Sequence, residues 1–177
     1  MGDHVTINEV GLRDGLQNQP RPVDTAHKLA LLDALLASGI RHVEATSFVS
    51  PKAVPQMADA AEIMARLPDR DRIDYSVLVP NMRGYERARA ANARSVAVTL
   101  SCTETMNQRN INMSLAQAEA VCADVMRRAA ANGVIGRAYL SVAFICPFEG
   151  VVDRDVVIRL AAAMVDAGAR EVIVADT

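Results

Sequence analysis

The 177-residue sequence predicts an α/β chain of parallel strands joined by helices, and three observations predict it. Six β-branched or apolar runs, at 4–10, 41–46, 73–79, 95–101, 137–144 and 171–176, alternate with five amphipathic stretches. The junctions repeat: Ser38-Gly39-Ile40-Arg41-His42-Val43, Ala91-Asn92-Ala93-Arg94-Ser95-Val96 and Ala167-Gly168-Ala169-Arg170-Glu171-Val172 each put Gly or Asn where a helix closes and an Arg just ahead of a strand. No linker, low-complexity segment or second pattern interrupts the alternation, so residues 1–177 read as one domain. Strands joined by single helices run parallel with right-handed crossovers, which leaves a doubly wound sheet or a (β/α) barrel.

Taken in order, the strand at 4–10 ends on Asn8-Glu9-Val10 and runs into Gly11-Leu12-Arg13-Asp14-Gly15. The first helix closes at Gly39, and the strand at 41–46 carries Glu44 between Val43 and Ala45. Met57, Ala60, Ala61, Met64 and Leu67 mark the apolar stripe of the second helix, and the third closes at Asn92. Beyond the strand at 95–101, a Ser114–Gln117 capping box opens a helix with Leu115, Ala118, Cys122, Val125 and Ala129 on its inner face; Asn132-Gly133 closes it. The strand at 137–144 contains Tyr139. Asp153 caps the last helix, which turns Val156, Val157, Leu160 and Met164 inward, and the strand at 171–176 ends on Asp176.

Composition narrows the function classes. The chain is 51% hydrophobic and 23% charged with net charge −2, enough to bury one substantial core. Lys28 and Lys52 are the only lysines, and the arginines are scattered among acids, so no basic stripe suits a nucleic-acid backbone. Met1-Gly2-Asp3-His4 opens without a basic or long apolar leader and no run reaches the length of a membrane span, which predicts a cytoplasmic protein. Cys102, Cys122 and Cys146 are odd in number and widely spaced, arguing against a disulfide framework or a metal knuckle. His4, His27 and His42 read as ordinary surface or boundary histidines. The sequence has no G-x-G-x-x-G, P-loop or G-x-S-x-G motif, and both lysines lie outside the strands, which argues against a Schiff-base mechanism. Cys146 reads as a buried thiol.

The chemistry-bearing residues collect at strand ends. Arg13 and Asp14 sit between two glycines where an apolar strand stops, the place where a barrel keeps its active site. A carboxylate there suits a hard divalent cation, and the permanently charged guanidinium suits an oxyanion. Glu44, inside an apolar strand, is costly to bury unless paired, and Arg13 is the partner the topology offers. Tyr139 and Asp176 complete the polar set.

These segments resemble the 3-hydroxy-3-methylglutaryl-CoA lyase family. The resemblance rests on Gly11-Leu12-Arg13-Asp14-Gly15-Leu16-Gln17, on Val43 to Lys52 (Val-Glu-Ala-Thr-Ser-Phe-Val-Ser-Pro-Lys), on Val79-Pro80-Asn81, Asn110-Ile111-Asn112 and Cys146-Pro147-Phe148-Glu149-Gly150, and on Asp176-Thr177. It implies a TIM (β/α)8 barrel, incomplete here after about six strands, since such barrels typically need ~250 residues. It further implies a metal-dependent cleavage of a 3-hydroxyacyl-CoA to acetyl-CoA and acetoacetate or a related 3-keto acid, a step of leucine degradation. By the same resemblance Asp14 ligates Mg²⁺ or Mn²⁺, Arg13 faces the thioester end of the substrate, Glu44 supports Arg13, and Asp176 lies near the reacting hydroxyl. Gln17, Ser47 and Tyr139 line the substrate pocket. Leu12 stands where the family commonly has proline, and Ser101-Cys102-Thr103-Glu104-Thr105-Met106 departs from its usual pattern. The family's His-x-His pair, Asn ligand and catalytic-loop cysteine have no counterpart in these residues. The expectation is a catalytic barrel truncated after its sixth strand, inactive alone, that self-associates or associates with a missing C-terminal part. The alternatives are a related Claisen-type acyltransferase or carboxyltransferase, or a non-catalytic half-barrel that binds or assembles.

Overall fold

The computed structural model describes residues 5–176. His4, which opens the first expected strand, and Thr177, which ends the last quoted motif, lie outside the described residues.

One sheet of six parallel strands runs in the order β1 (Asn8–Glu9), β2 (His42–Ser47), β3 (Asp74–Leu78), β4 (Ser95–Ser101), β5 (Ile135–Ser141) and β8 (Glu171–Val174). Each neighbour is the next strand of the main sheet in sequence, as in an incomplete (β/α) barrel and unlike the reversed order of a doubly wound sheet. The main helices are α1 (Thr25–Ala37), α2 (Ala60–Ala65), α3 (Met82–Ala90), α5 (Leu115–Ala131) and α6 (Arg154–Asp166). Along β5, Ala138 and Leu140 are fully buried on the helix-facing side while Arg137, Tyr139 and Ser141 occupy the alternate phase. The core forms between outward strand residues such as Val43, Val77, Val98 and Leu140 and the inner helix faces, including Ile63, Met64, Cys122, Val125, Met126, Leu160 and Met164. The helix-closing joints take the expected backbone: Gly39, Asn92, Gly133 and Gly168 all have positive φ, the left-handed conformation that Gly and Asn adopt most cheaply. The Ser114–Gln117 capping box forms, and the Asp153 carboxylate accepts from the Asp155 amide.

Four features depart from the sequence reading. The first strand shrinks to Asn8–Glu9, leaving Val5 and Ile7 exposed. A sixth helix, α4 (Glu104–Ile111), fills the connection after β4; it buries only Asn107, so it has no apolar stripe to announce it. The strand expected to reach residue 144 ends at Ser141, because Val142 takes φ +48°, a strained conformation for a β-branched residue that breaks the ladder. Beyond it, β6 (Ile145–Cys146) and β7 (Gly150–Val151) pair as a short antiparallel hairpin.

A β-bulge in β2 governs the site. Glu44 pairs with Ser76 but Thr46 pairs with Val77, so Ala45 is an extra residue. The bulge turns Thr46 toward the helix layer, where its hydroxyl meets Met57 Sδ at 3.8 Å, and brings Ser47 into phase with Glu44.

Candidate active site

The end of β1 is built to present two charged side chains. Gly11–Gly15 forms a single π-helical turn in which the Arg13 and Asp14 amides both donate to the Val10 carbonyl, at 3.1 and 2.7 Å. The Glu9 carboxylate accepts from the Gly11 amide at 2.6 Å, and a Cβ on residue 11 would stand 2.7 Å from that carboxylate. A side chain at position 11 would therefore have to displace the Glu9 carboxylate from the Gly11 amide. The turn buries Leu12 and lifts Asp14 into solvent.

Arg13 ties the turn to the interior. Its Nε donates to Glu44 Oε1 and its Nη1 donates to Asp14 Oδ1 at 2.6 Å; among the described residues Nη2 has no hydrogen-bond partner. Glu44 is completely buried, the Arg13 side chain is 12% exposed and the Asp14 side chain 54%. A carboxylate so placed persists only when paired and hydrogen-bonded. Its second oxygen, Oε2, accepts from the Tyr139 hydroxyl at 3.0 Å, and Asn8 Nδ2 donates to that hydroxyl at 3.4 Å. Burial first, and then the Glu44 charge, push the Tyr139 phenol far above the ordinary tyrosine range, so it remains a neutral donor. Residues from β1, β2, β5 and the first turn thus meet around one carboxylate.

The other expected site residues do not join these hydrogen bonds. Ser47 is fully buried, its hydroxyl 3.4 Å from the Leu78 carbonyl that accepts from it. Gln17 is half-buried, and its Oε1 is buried with no partner among the described residues. Asp176, just past β8, accepts at Oδ1 from the Ile145 amide at 3.2 Å and so anchors the β6–β7 hairpin.

A second polar layer lies two residues lower on β5, toward the N-terminal ends of the strands. Arg137 donates to Asp74 through Nη2 and to Glu171 through Nε at 2.9 Å, and His42 Nδ1 lies 3.1 Å from Asp74. Partial burial raises the Asp74 carboxyl, but the Arg137 and His42 contacts outweigh it and hold the group below the usual carboxylate range. Between the layers a cleft of about 480 Å³ is lined by Asn8, His42, Arg137, Tyr139, Glu171 and Ile173, among others.

Sequence reasoning missed Asn8, Arg137 and Asp74. Arg137, a charge in phase with Tyr139 on β5, and Asp74, in phase with Glu44 across the sheet, were the available signals, and the uncharged Asn8 offered none. Cys146 is buried as expected, yet its sulfur accepts from Thr103 Oγ1 at 3.1 Å. Burial raises this thiol, but the Thr103 hydroxyl and the Phe148 and Glu149 amides outweigh it and leave it below the ordinary cysteine range.

Asp14 is a fitting oxygen donor for a hard divalent cation. It stands alone in that respect: among the described residues no group of three or more His, Cys, Asp or Glu side chains is placed to hold a metal.

Comparison with known proteins places this geometry in context. The HMGL-like family model matches residues 4–177. A hydroxymethylglutaryl-CoA lyase of Pseudomonas mevalonii is 39% identical over 173 residues, which are 98% of this chain and 58% of that protein. The crystal structure of hydroxymethylglutaryl-CoA lyase from Pseudomonas aeruginosa superposes with a TM-score of 0.91 at 39% identity, covering 96% of this chain and 57% of that one. An HMG-CoA lyase from Acinetobacter baumannii, solved in complex with coenzyme A and 3-methylmalate, gives 0.88 at 32% identity, covering 96% and 55%. The chain spans a little over half the length of the relatives it matches.

Proposed function

The chain belongs to the HMGL-like family, and from that membership we propose that the protein carrying these residues is a metal-dependent carbon–carbon lyase. Its substrate is 3-hydroxy-3-methylglutaryl-CoA or a close 3-hydroxyacyl-CoA, and its products are acetyl-CoA and acetoacetate or a related 3-keto acid. The observation that carries the reading is the Arg13 guanidinium, fixed by a buried carboxylate on one edge, with an Nη2 that has no hydrogen-bond partner among the described residues and an exposed Asp14 beside it. The relative solved with coenzyme A supports an acyl-CoA as the ligand class.

In such a cleavage the substrate's tertiary hydroxyl loses its proton and becomes the keto group of one product. The electron pair of the broken carbon–carbon bond passes into the thioester, which departs as an enolate and takes up a proton to give acetyl-CoA. Arg13, which cannot lose its own proton, meets the negative charge on the thioester oxygen. Glu44 and the neutral Tyr139 hold that guanidinium in place before charge develops, so no reorganisation is needed as the bond breaks. Asp14 would contribute one oxygen ligand to Mg²⁺ or Mn²⁺. When bound, such a cation lowers the pKa of the substrate hydroxyl. Asp176 lies on the side of that hydroxyl, and Gln17 and Ser47 shape the pocket. The residues 1–177 form one catalytic-barrel domain within this reading.

The test is acetyl-CoA release from 3-hydroxy-3-methylglutaryl-CoA by the natural reading frame that contains these residues, with Mg²⁺ added or chelated. Release that depends on the metal and is lost in Asp14→Asn supports the proposal. Full release in the presence of chelator, or by Asp14→Asn, refutes the metal role.

A further inference from the structure

Lys28, a residue the sequence reading set aside, is 4% exposed in α1. A lysine so deep requires partners for its charge and its donors. Its Nζ donates to Asp59 Oδ1 at 2.7 Å and to the Gln56 backbone carbonyl at 2.5 Å, and Asp59 Oδ2 accepts from Thr25 Oγ1 at 2.9 Å. The loop between β2 and α2 is thereby pinned onto α1. From that pinned position the Gln56 side chain reaches the other way, its Nε2 donating to the Gln19 carbonyl at 2.7 Å. Gln19 Nε2 in turn donates at 3.1 Å to the carbonyl of Gly15, the last residue of the turn that carries Arg13 and Asp14.

We infer that Gln56, seated on the buried Lys28–Asp59 pair, is a positioning residue that fixes the Arg13–Asp14 turn against the loop following β2. The inference rests on the reading of Arg13 as the group that meets the thioester oxygen. Apart from the packing of Leu12 and Leu16 in the core, the turn is held without this tie at its start by Glu9 and through Arg13 by Glu44, while the exposed Gly15 at its far end has only local hydrogen bonds. The tie therefore governs how tightly Arg13 Nε stays on Glu44, and hence where Nη2 points.

The test uses the full chain, labelled with ¹⁵N-arginine, and follows hydrogen exchange at Arg13 Nε–H, the proton donated to Glu44. Gln56→Glu keeps the size of the side chain but sets a carboxylate against the Gln19 carbonyl. Gln56→Lys restores a donor. Exchange at Arg13 Nε–H is expected to quicken about five- to tenfold in Gln56→Glu, the scale of one net hydrogen bond, and to return to within about twofold of wild type in Gln56→Lys. Arg137 Nε–H, bound to Glu171 in the polar layer two residues lower on β5 and outside the chain of bonds from Gln56 to Gly15, is the internal control and should not change. Unchanged exchange at Arg13 in Gln56→Glu overturns the inference. So does an equal quickening at Arg137, which would mean that the substitution loosens the whole chain. Because the readout is independent of turnover, its failure is distinguishable from failure of the lyase reading, which acetyl-CoA release reports.

Discussion

Replacing Glu44 by Gln removes a charge from the centre of the site at nearly constant volume. Glu44 has no solvent exposure and accepts from Arg13 Nε and from the Tyr139 hydroxyl. In the Glu44→Gln variant the amide oxygen can keep the Arg13 bond, while the amide nitrogen faces Tyr139, whose hydroxyl can rotate to accept. The hydrogen bonds are then largely preserved, and what is lost is the counter-charge. Arg13 is left with Asp14, whose exposed side chain is screened by water. Breaking a buried ion pair by neutralising one partner costs about 3–5 kcal/mol, and the preserved hydrogen bonds and partial exposure of Arg13 place this case near the lower end. At about 2–4 °C per kcal/mol for a domain of this size, the melting temperature should fall by about 6–12 °C, measured by circular dichroism at pH 7. A second readout comes from Tyr139: with the Glu44 charge gone, its phenol should ionise at lower pH than in wild type, though burial still holds it high. A stability change below about 0.5 kcal/mol, the range of ordinary surface substitutions, would refute the reading of Glu44 as a buried ionised anchor.

Further outcomes follow from the same geometry. Asn107→Ala removes a fully buried amide that binds the Ser101 amide and the Ser101 and Thr103 carbonyls at 2.7–2.9 Å, and should cost about 2–4 kcal/mol in urea denaturation; a loss under 1 kcal/mol contradicts it. Gly168→Ala combines φ +103° with a Cβ placed 2.8 Å from that of Ala130, whereas Gly15→Ala meets nothing within 4 Å. The first should destabilise by more than about 1 kcal/mol and the second by less than about 0.5 kcal/mol, and equal effects would contradict the backbone argument. Asp74 has a folded pKa below its unfolded value near 3.8, so its contribution is present above that pH and disappears as pH falls through the folded value. Asp74→Asn should therefore flatten the acid limb of the stability curve below about pH 4, and an unchanged limb would show that Asp74 carries no such linkage. Tyr75, raised to about 12 chiefly by burial, should remain largely un-ionised in a spectrophotometric titration to pH 11, and full ionisation by that pH would contradict it.

What the sequence disclosed and what it concealed divide along physical lines. Helices that bury an apolar stripe, such as α5 with Cys122 and Val125, declare themselves by period, and α4 does not because its one buried side chain is the polar Asn107. The Gly and Asn joints were legible because positive φ restricts the residue types that tolerate it, while Val142 at φ +48° violates that rule and hid the end of β5. The Arg13–Glu44 pairing was legible because a carboxylate inside an apolar strand demands a cation from the neighbouring strand end. The bulge at Ala45 was not, since nothing in Glu44-Ala45-Thr46-Ser47 distinguishes a regular strand from one that slips by a residue. Lys28 escaped for a related reason: a helical lysine is ordinarily solvated, and only the fold brings Asp59 and the Gln56 carbonyl over it.

The central claim is that Arg13, held by Glu44, meets the charge that develops on the thioester oxygen. It is tested most directly by the kcat of Arg13→Gln for acetyl-CoA release from 3-hydroxy-3-methylglutaryl-CoA, measured in the natural reading frame at saturating substrate and Mg²⁺. The account predicts a fall of about 10²–10³, the scale of losing one electrostatic stabiliser of an oxyanion. A kcat within about threefold of wild type, well short of that scale, would contradict it.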